Sequence, residues 1–201
     1  MSFKFKTSKK EICDLLEAWI FISLAFGIVL ADGKLFSLTT LKSFFLAALT
    51  VGTGFLFHEM GHKLMAQKYG CFAEFRASIK MLVLALLMSF FGFVFAAPGA
   101  VMIAGRVTGE QRGKISIAGP IVNIVLALFF SVIVFVSSKG SILFEIAAYG
   151  VWVNSFLAVF NMLPFSILDG RKVLEWNRKA YSAVMVPAVF LMFFATQYLP
   201  L

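Results

Sequence analysis

Long apolar runs alternate with short polar stretches along this chain. The runs cover 18–31, 41–65, 81–105, 115–136, 142–162 and 184–199. At about 1.5 Å of rise per residue, helices of these lengths suit a hydrocarbon core of about 30 Å. Between them stand turn signals: Asp32-Gly33, the segment 137–141, and Pro164 at the close of the fifth run. The third run is broken from within by Ala97-Pro98-Gly99. The pattern predicts an α-helical polytopic membrane protein with five or six transmembrane helices.

Composition sharpens this picture. Of 201 residues, 61% are hydrophobic and 14% charged, whereas soluble domains run near half apolar and a quarter charged. The net charge of +8 would by itself suit nucleic acid. The basic residues cluster between apolar runs, however, as in cytoplasmic loops beside anionic lipid, so a lipid bilayer and no nucleic acid is expected. Lys4, Lys6, Lys9 and Lys10 read as a basic N-terminal arm. No cleavable signal peptide is expected, because the first seventeen or so residues are polar and Lys-rich. Cys13 and Cys71 are expected to be free thiols rather than a disulfide. Tyr149, Trp176, Tyr181 and Tyr198 suit membrane-interface anchors. No linker, repeat or low-complexity tract divides the chain, which is read as one membrane-embedded domain over 1–201.

Both histidines of the chain fall in one stretch, His58-Glu59-Met60-Gly61-His62. Residues four apart share a helical face, so the two imidazoles can meet one ion. Glu59 lies about 100° round the helix from His58, where a general base for an activated water belongs. Ionisable residues inside an apolar run are costly unless they serve a function. The pattern points to zinc, yet two histidines underfill such a site, since catalytic zinc takes three protein ligands. No third histidine exists. Asp169, in "NMLPFSILDG", stands where a span breaks and the chain turns. Spacing alone leaves two roles open for it: metal ligand, or N-cap of a short helix at 171–178.

Three motifs in order, "HEMGH" at 58–62, "IAGPIVNI" at 117–124 and "NMLPFSILDG" at 161–170, resemble the site-2 protease family of intramembrane zinc metalloproteases. The resemblance covers about 41–70 and 115–172, within a catalytic core of about 41–172. It implies one zinc ion per chain held by His58, His62 and Asp169, with Glu59 activating water. It also implies that Asn161 helps hold the substrate or the developing oxyanion, and that the Gly-Pro pair opens a helix. The chain departs from the pattern at Arg171, where many relatives carry a second glycine, and at Ser166-Ile167-Leu168, where many carry a proline. The PDZ or CBS domain that relatives often add does not fit this length.

A shared ion constrains topology. His58 and Asp169 both lie towards the exit side of their spans, so an odd number of crossings between them would part them. The segment 81–106 is therefore expected to be a re-entrant hairpin reversing near Pro98-Gly99, with five crossings in all. A strand in 98–106 could pair with an extended substrate. With the N-terminus and the site opening cytosolic and the C-terminus outside, the basic clusters obey the positive-inside rule in a multi-pass cell-membrane protein. The expected activity is hydrolysis of a peptide bond in a transmembrane protein substrate. Two rival readings of the same residues are a metal-ion transporter or sensor and a non-catalytic protein that binds transmembrane helices. Asn123 and Asn154, inside spans, are expected to bond across helices.

Overall fold

The computed structural model describes residues 5–34, 37–94, 98–165 and 167–197. Lys4, Ala97, Ser166 and Tyr198 lie outside them. The chain is a polytopic helical membrane protein. Among the described residues, five helices are long and apolar enough to cross a bilayer: Lys9–Leu30 (α1), the continuous Leu38–Lys68, Gly109–Val136 (α5), Ile142–Asn161 (α6) and Arg178–Thr196 (α8). Between the second and third lie strand β1 (Phe72–Ala77), the short helix α4 (Ile79–Ser89) and strand β2 (Gly99–Ala104). Helix α7 (Asp169–Trp176) joins α6 to α8.

The ribbon explains how the chain reverses. β1 and β2 pair antiparallel, from Phe72 opposite Ala104 to Ala77 opposite Gly99. What leaves at Ala77 therefore returns beside it at Gly99. The 11 residues of α4 rise only about 16 Å, half of a hydrocarbon core. The two ends of the oily segment thus lie side by side, an arrangement compatible with a re-entrant hairpin. The ribbon's backbone is paired along the ladder, and the Val101 N–H by the Glu59 side chain, as membrane depth requires.

Two sequence expectations are corrected. Lys9 and Lys10 do not belong to a loose arm. They form the first turn of α1, because the Ser8 side chain accepts the N–H of Glu11 and caps the helix there. The Gly-Pro pair does not open a span either. Thr108 and Gln111 form a capping box that starts α5 at Gly109, leaving Pro120 well inside the helix. Boundaries elsewhere move by a few residues.

The second crossing contains one irregular turn. Leu38–Ala47 (α2) passes through a wider π turn at Ala48–Gly52 into Thr53–Lys68 (α3). Trp19 donates its indole N–H to the Ala48 carbonyl at 3.1 Å. The hydroxyls of Thr50 and Thr53 return to the carbonyls of Leu46 and Leu49, each at 2.7 Å. Such turns re-phase a helix and recur near functional sites. Here the turn immediately precedes the helix that carries both histidines.

Candidate metal centre

α3 places His58 and His62 one turn apart, with ring centroids 4.6 Å apart and planes nearly perpendicular. Both are buried. Asp169 arrives from the start of α7. Its Oδ2 lies 3.0 Å from His62 Nε2 and 3.6 Å from His58 Nε2, and the two Nε2 atoms are 3.0 Å apart. Three ligands bound to one zinc at about 2.0–2.1 Å with tetrahedral angles lie roughly 3.3 Å from one another. The observed triangle has that size.

The proton positions agree with a metal. His62 Nδ1 is 2.8 Å from the carbonyl oxygen of Ile115, which can only accept, so Nδ1 carries the hydrogen. His58 Nδ1 is 2.6 Å from Asn123 Oδ1. The orientation of that amide follows from its neighbours. Asn154 donates through Nδ2 to the Gly150 carbonyl, which turns its Oδ1 towards Asn123. Asn123 Nδ2 donates to that Oδ1 at 3.0 Å and to the Gly54 carbonyl at 3.1 Å. Its Oδ1 therefore faces His58 and accepts. Both histidines thus turn Nε2 lone pairs, with a carboxylate oxygen, onto one point. Without a metal a proton can bridge the carboxylate and an imidazole at that point; with one, all three are its ligands. His58, His62 and Asp169 are the group suited to hold a metal ion among the described residues.

The neighbouring backbone is built around this triangle. A Cβ at Gly119 would lie 2.4 Å from His62 Nε2 and 2.7 Å from His58 Nε2, so only glycine lets α5 approach so closely. One residue on, Pro120 has no amide for the Ser116 carbonyl and its ring opens the preceding turn. The Ile115 carbonyl that receives His62 lies in that turn. Gly170 does similar work beside Asp169. A Cβ there would meet the Met162 carbonyl oxygen at 2.0 Å, so glycine allows α7 to start against the last turn of α6. Leu168, not Asp169, takes the N-cap position of α7, so the cap role foreseen for Asp169 does not apply. Burial works to raise the Asp169 carboxyl. The imidazoles of His62 and His58 outweigh it and hold the carboxyl well below the usual carboxylate range. Lys172 stands 3.4 Å from Oδ1, on the more exposed side.

Glu59 is buried beside the triangle, and its Oε2 accepts the backbone N–H of Val101 on β2 at 3.2 Å. Asn161 closes α6 and donates to the Leu157 carbonyl of its own helix at 2.9 Å. The structure thus brings together His58, Glu59, His62 and Asp169, and ties Asn161 to its own helix. Sequence reading underrated Asn123. Its only signal was an amide within an apolar run, and its bond to His58 spans 65 residues.

No protein-family model matches the chain, and no solved structure matches it. A Methanocaldococcus jannaschii protein described as "Putative zinc metalloprotease" is 38% identical to it over 187 residues, which cover 92% of this chain and 94% of the relative.

Proposed function

This chain belongs to the same zinc metalloprotease family as its archaeal relative, and from that premise we propose that it is an intramembrane protease of the site-2 type. It hydrolyses a peptide bond in or near a transmembrane helix of a membrane-protein substrate. The observation that carries this reading is the position of the ligand triangle. Two of its members stand on a helix that is long and apolar enough to cross a bilayer.

His58, His62 and Asp169 would hold one zinc ion. When bound, that ion supplies Lewis-acid polarisation of the scissile carbonyl and of a water molecule. Glu59, one residue along α3 from His58, takes the proton from the water and passes it to the leaving nitrogen. Its burial among helices keeps competing solvent out. Asn161 retains a second amide hydrogen beyond the one given to Leu157, and this suits a hydrogen bond to substrate.

A helical substrate hides its carbonyls in internal bonds and must unwind before attack. β2 supports this step. In an antiparallel ladder, alternate residues turn their N–H and C=O away from the partner strand. Val101 is one of these, since its N–H reaches Glu59, and Gly99 and Ile103 share its phase. An extended substrate adding to that edge would lie directly beside the base.

The basic residues Arg106, Arg112, Arg171 and Lys172 flank the elements that form the site, so the positive-inside rule puts its opening in the cytosol. The substitution Glu59→Gln tests the activity. Full zinc content with proteolysis of a reconstituted transmembrane peptide reduced by about 10²–10⁴-fold is expected. Undiminished cleavage, or a wild type that cleaves nothing under the same conditions, would refute the proposal.

A further inference from the structure

α3 carries a second polar row. Glu59, Lys63 and Gln67 are spaced four apart, hence on one face, and each reaches the two-stranded ribbon. Glu59 accepts the Val101 N–H on β2. Lys63 donates to Glu11 Oε2 at 2.5 Å, and Glu11 Oε1 accepts the Phe75 N–H of β1 at 2.9 Å. Gln67 Nε2 donates to the Ala73 carbonyl of β1 at 3.0 Å. Ala73 and Phe75 are in the outward phase of β1, so its outer edge is closed by side chains from α3 and α1. The outer edge of β2 meets Glu59.

Glu59, Lys63 and Glu11 are buried, Gln67 is half-buried, and the anchors are cross-tied. Lys63 and Glu11 have no exposed side-chain surface. Lys63 also donates to Thr7 at 2.9 Å, and its ammonium lies 4.4 Å from the centroid of the Phe5 ring. Gln67 exchanges hydrogen bonds with both backbone groups of Lys6. Phe75 is buried edge-on against Phe55 of α3, and a Cβ at Gly99 would strike its ring at 2.5 Å. The position of β1 thus sets that of β2, and β2 lies next to the base.

We propose that Glu11, Lys63 and Gln67 are positioning residues for proteolysis, a reading that rests on the protease activity inferred above. They lock the ribbon in register against α3, and the register decides which bond of a strand paired to β2 faces the metal ligands. None of the three touches the ligands or the reacting atoms. Their effect is therefore on the choice of bond and on turnover, and not on metal binding.

The test uses the full-length zinc-loaded protein in phosphatidylcholine vesicles, with a synthetic single-span peptide carrying a Gly-Pro break as probe. The double substitution Glu11→Gln with Lys63→Met removes both charges together and leaves no lone buried ion. Three outcomes are expected of it. Zinc per chain is unchanged, backbone amides of 72–77 and 99–104 exchange at least about tenfold faster, and kcat falls about tenfold or more while product masses spread over neighbouring bonds. Gln67→Ala, which leaves the buried pair intact, is expected to spread the products with about a threefold loss of kcat. Variants that cut the wild-type bond at the wild-type rate, or ribbon amides as protected as in the wild type, would overturn the assignment. Hydrogen exchange needs no substrate. A wild type that fails to cleave therefore refutes the activity alone, while the exchange data still decide whether these residues hold the ribbon.

Discussion

α3 displays two polar rows that differ in one respect. The Glu59–Lys63–Gln67 row is matched by partners outside any metal: Lys63 meets the Glu11 carboxylate, Glu59 accepts the Val101 N–H, and Gln67 donates to the Ala73 carbonyl. The His58–His62 row, completed by Asp169, is not. Its two Nδ1 hydrogens are already committed to Ile115 and Asn123, and three lone pairs face one another. Both rows are mostly buried, with Gln67 and Asp169 half-buried, so burial alone does not mark a reactive site. The mark is an arrangement that is electrostatically incomplete without a cation. One row is a clamp and the other is a socket.

The largest effect should come from breaking the socket. His58→Ala, His62→Ala or Asp169→Ala each should weaken zinc binding by about 10³-fold or more. The metal-free melting temperature should stay level or fall slightly, because only the attraction between the Asp169 carboxylate and the imidazoles is lost. Zinc per chain after dialysis against a chelator, with melting followed by circular dichroism, checks both. If Asp169→Ala holds zinc as tightly as wild type, the third ligand is misassigned.

Breaking the clamp should do the reverse. Lys63→Met strands the Glu11 carboxylate in the interior and should cost about 3–5 kcal/mol of stability, while folded protein keeps its zinc. Adding Glu11→Gln should recover most of that loss in the same melts. A smaller effect is expected at the join between histidine and scaffold. Asn123→Ala leaves His58 without its acceptor and should lower zinc affinity by about 10–100-fold, read by competition with a chromogenic chelator. The smallest perturbation asks only which way both rows face. Cys13 is exposed and Cys71 buried. A membrane-impermeant maleimide should therefore label Cys13 in lysed cells and spare it in intact ones, and Cys71 should resist in either.

Much of this was legible in the chain. Helix periodicity puts residues four apart on one face whatever surrounds them, so the shared face of His58 and His62 followed from spacing. The length of the apolar runs identified the crossings, because a bilayer accepts few backbone solutions. The return of 81–106 followed from demanding that two ligands meet, and the 11-residue α4 and the β1–β2 register agree with it. Other features were misread because their partners lie far away in sequence. The first turn of α1 reads in sequence as part of a basic N-terminal arm, since nothing local shows that Glu11 finds Lys63 52 residues later. The family resemblance implies a helix start at Gly-Pro, whereas the Thr108 capping box sets that start at Gly109.

The sequence by itself determined the membrane class and the helical face that His58 and His62 share, with Glu59 beside it. These depend on local period and on composition, which no packing can rewrite. The tertiary structure alone decided the rest: that Asp169 closes the triangle, that Asn123 and Ile115 orient its histidines, and that a two-stranded ribbon is clamped against Glu59. Such pairings join groups tens of residues apart. They form because a buried donor or acceptor left alone is too costly to keep, and only the folded chain shows which partner each one found.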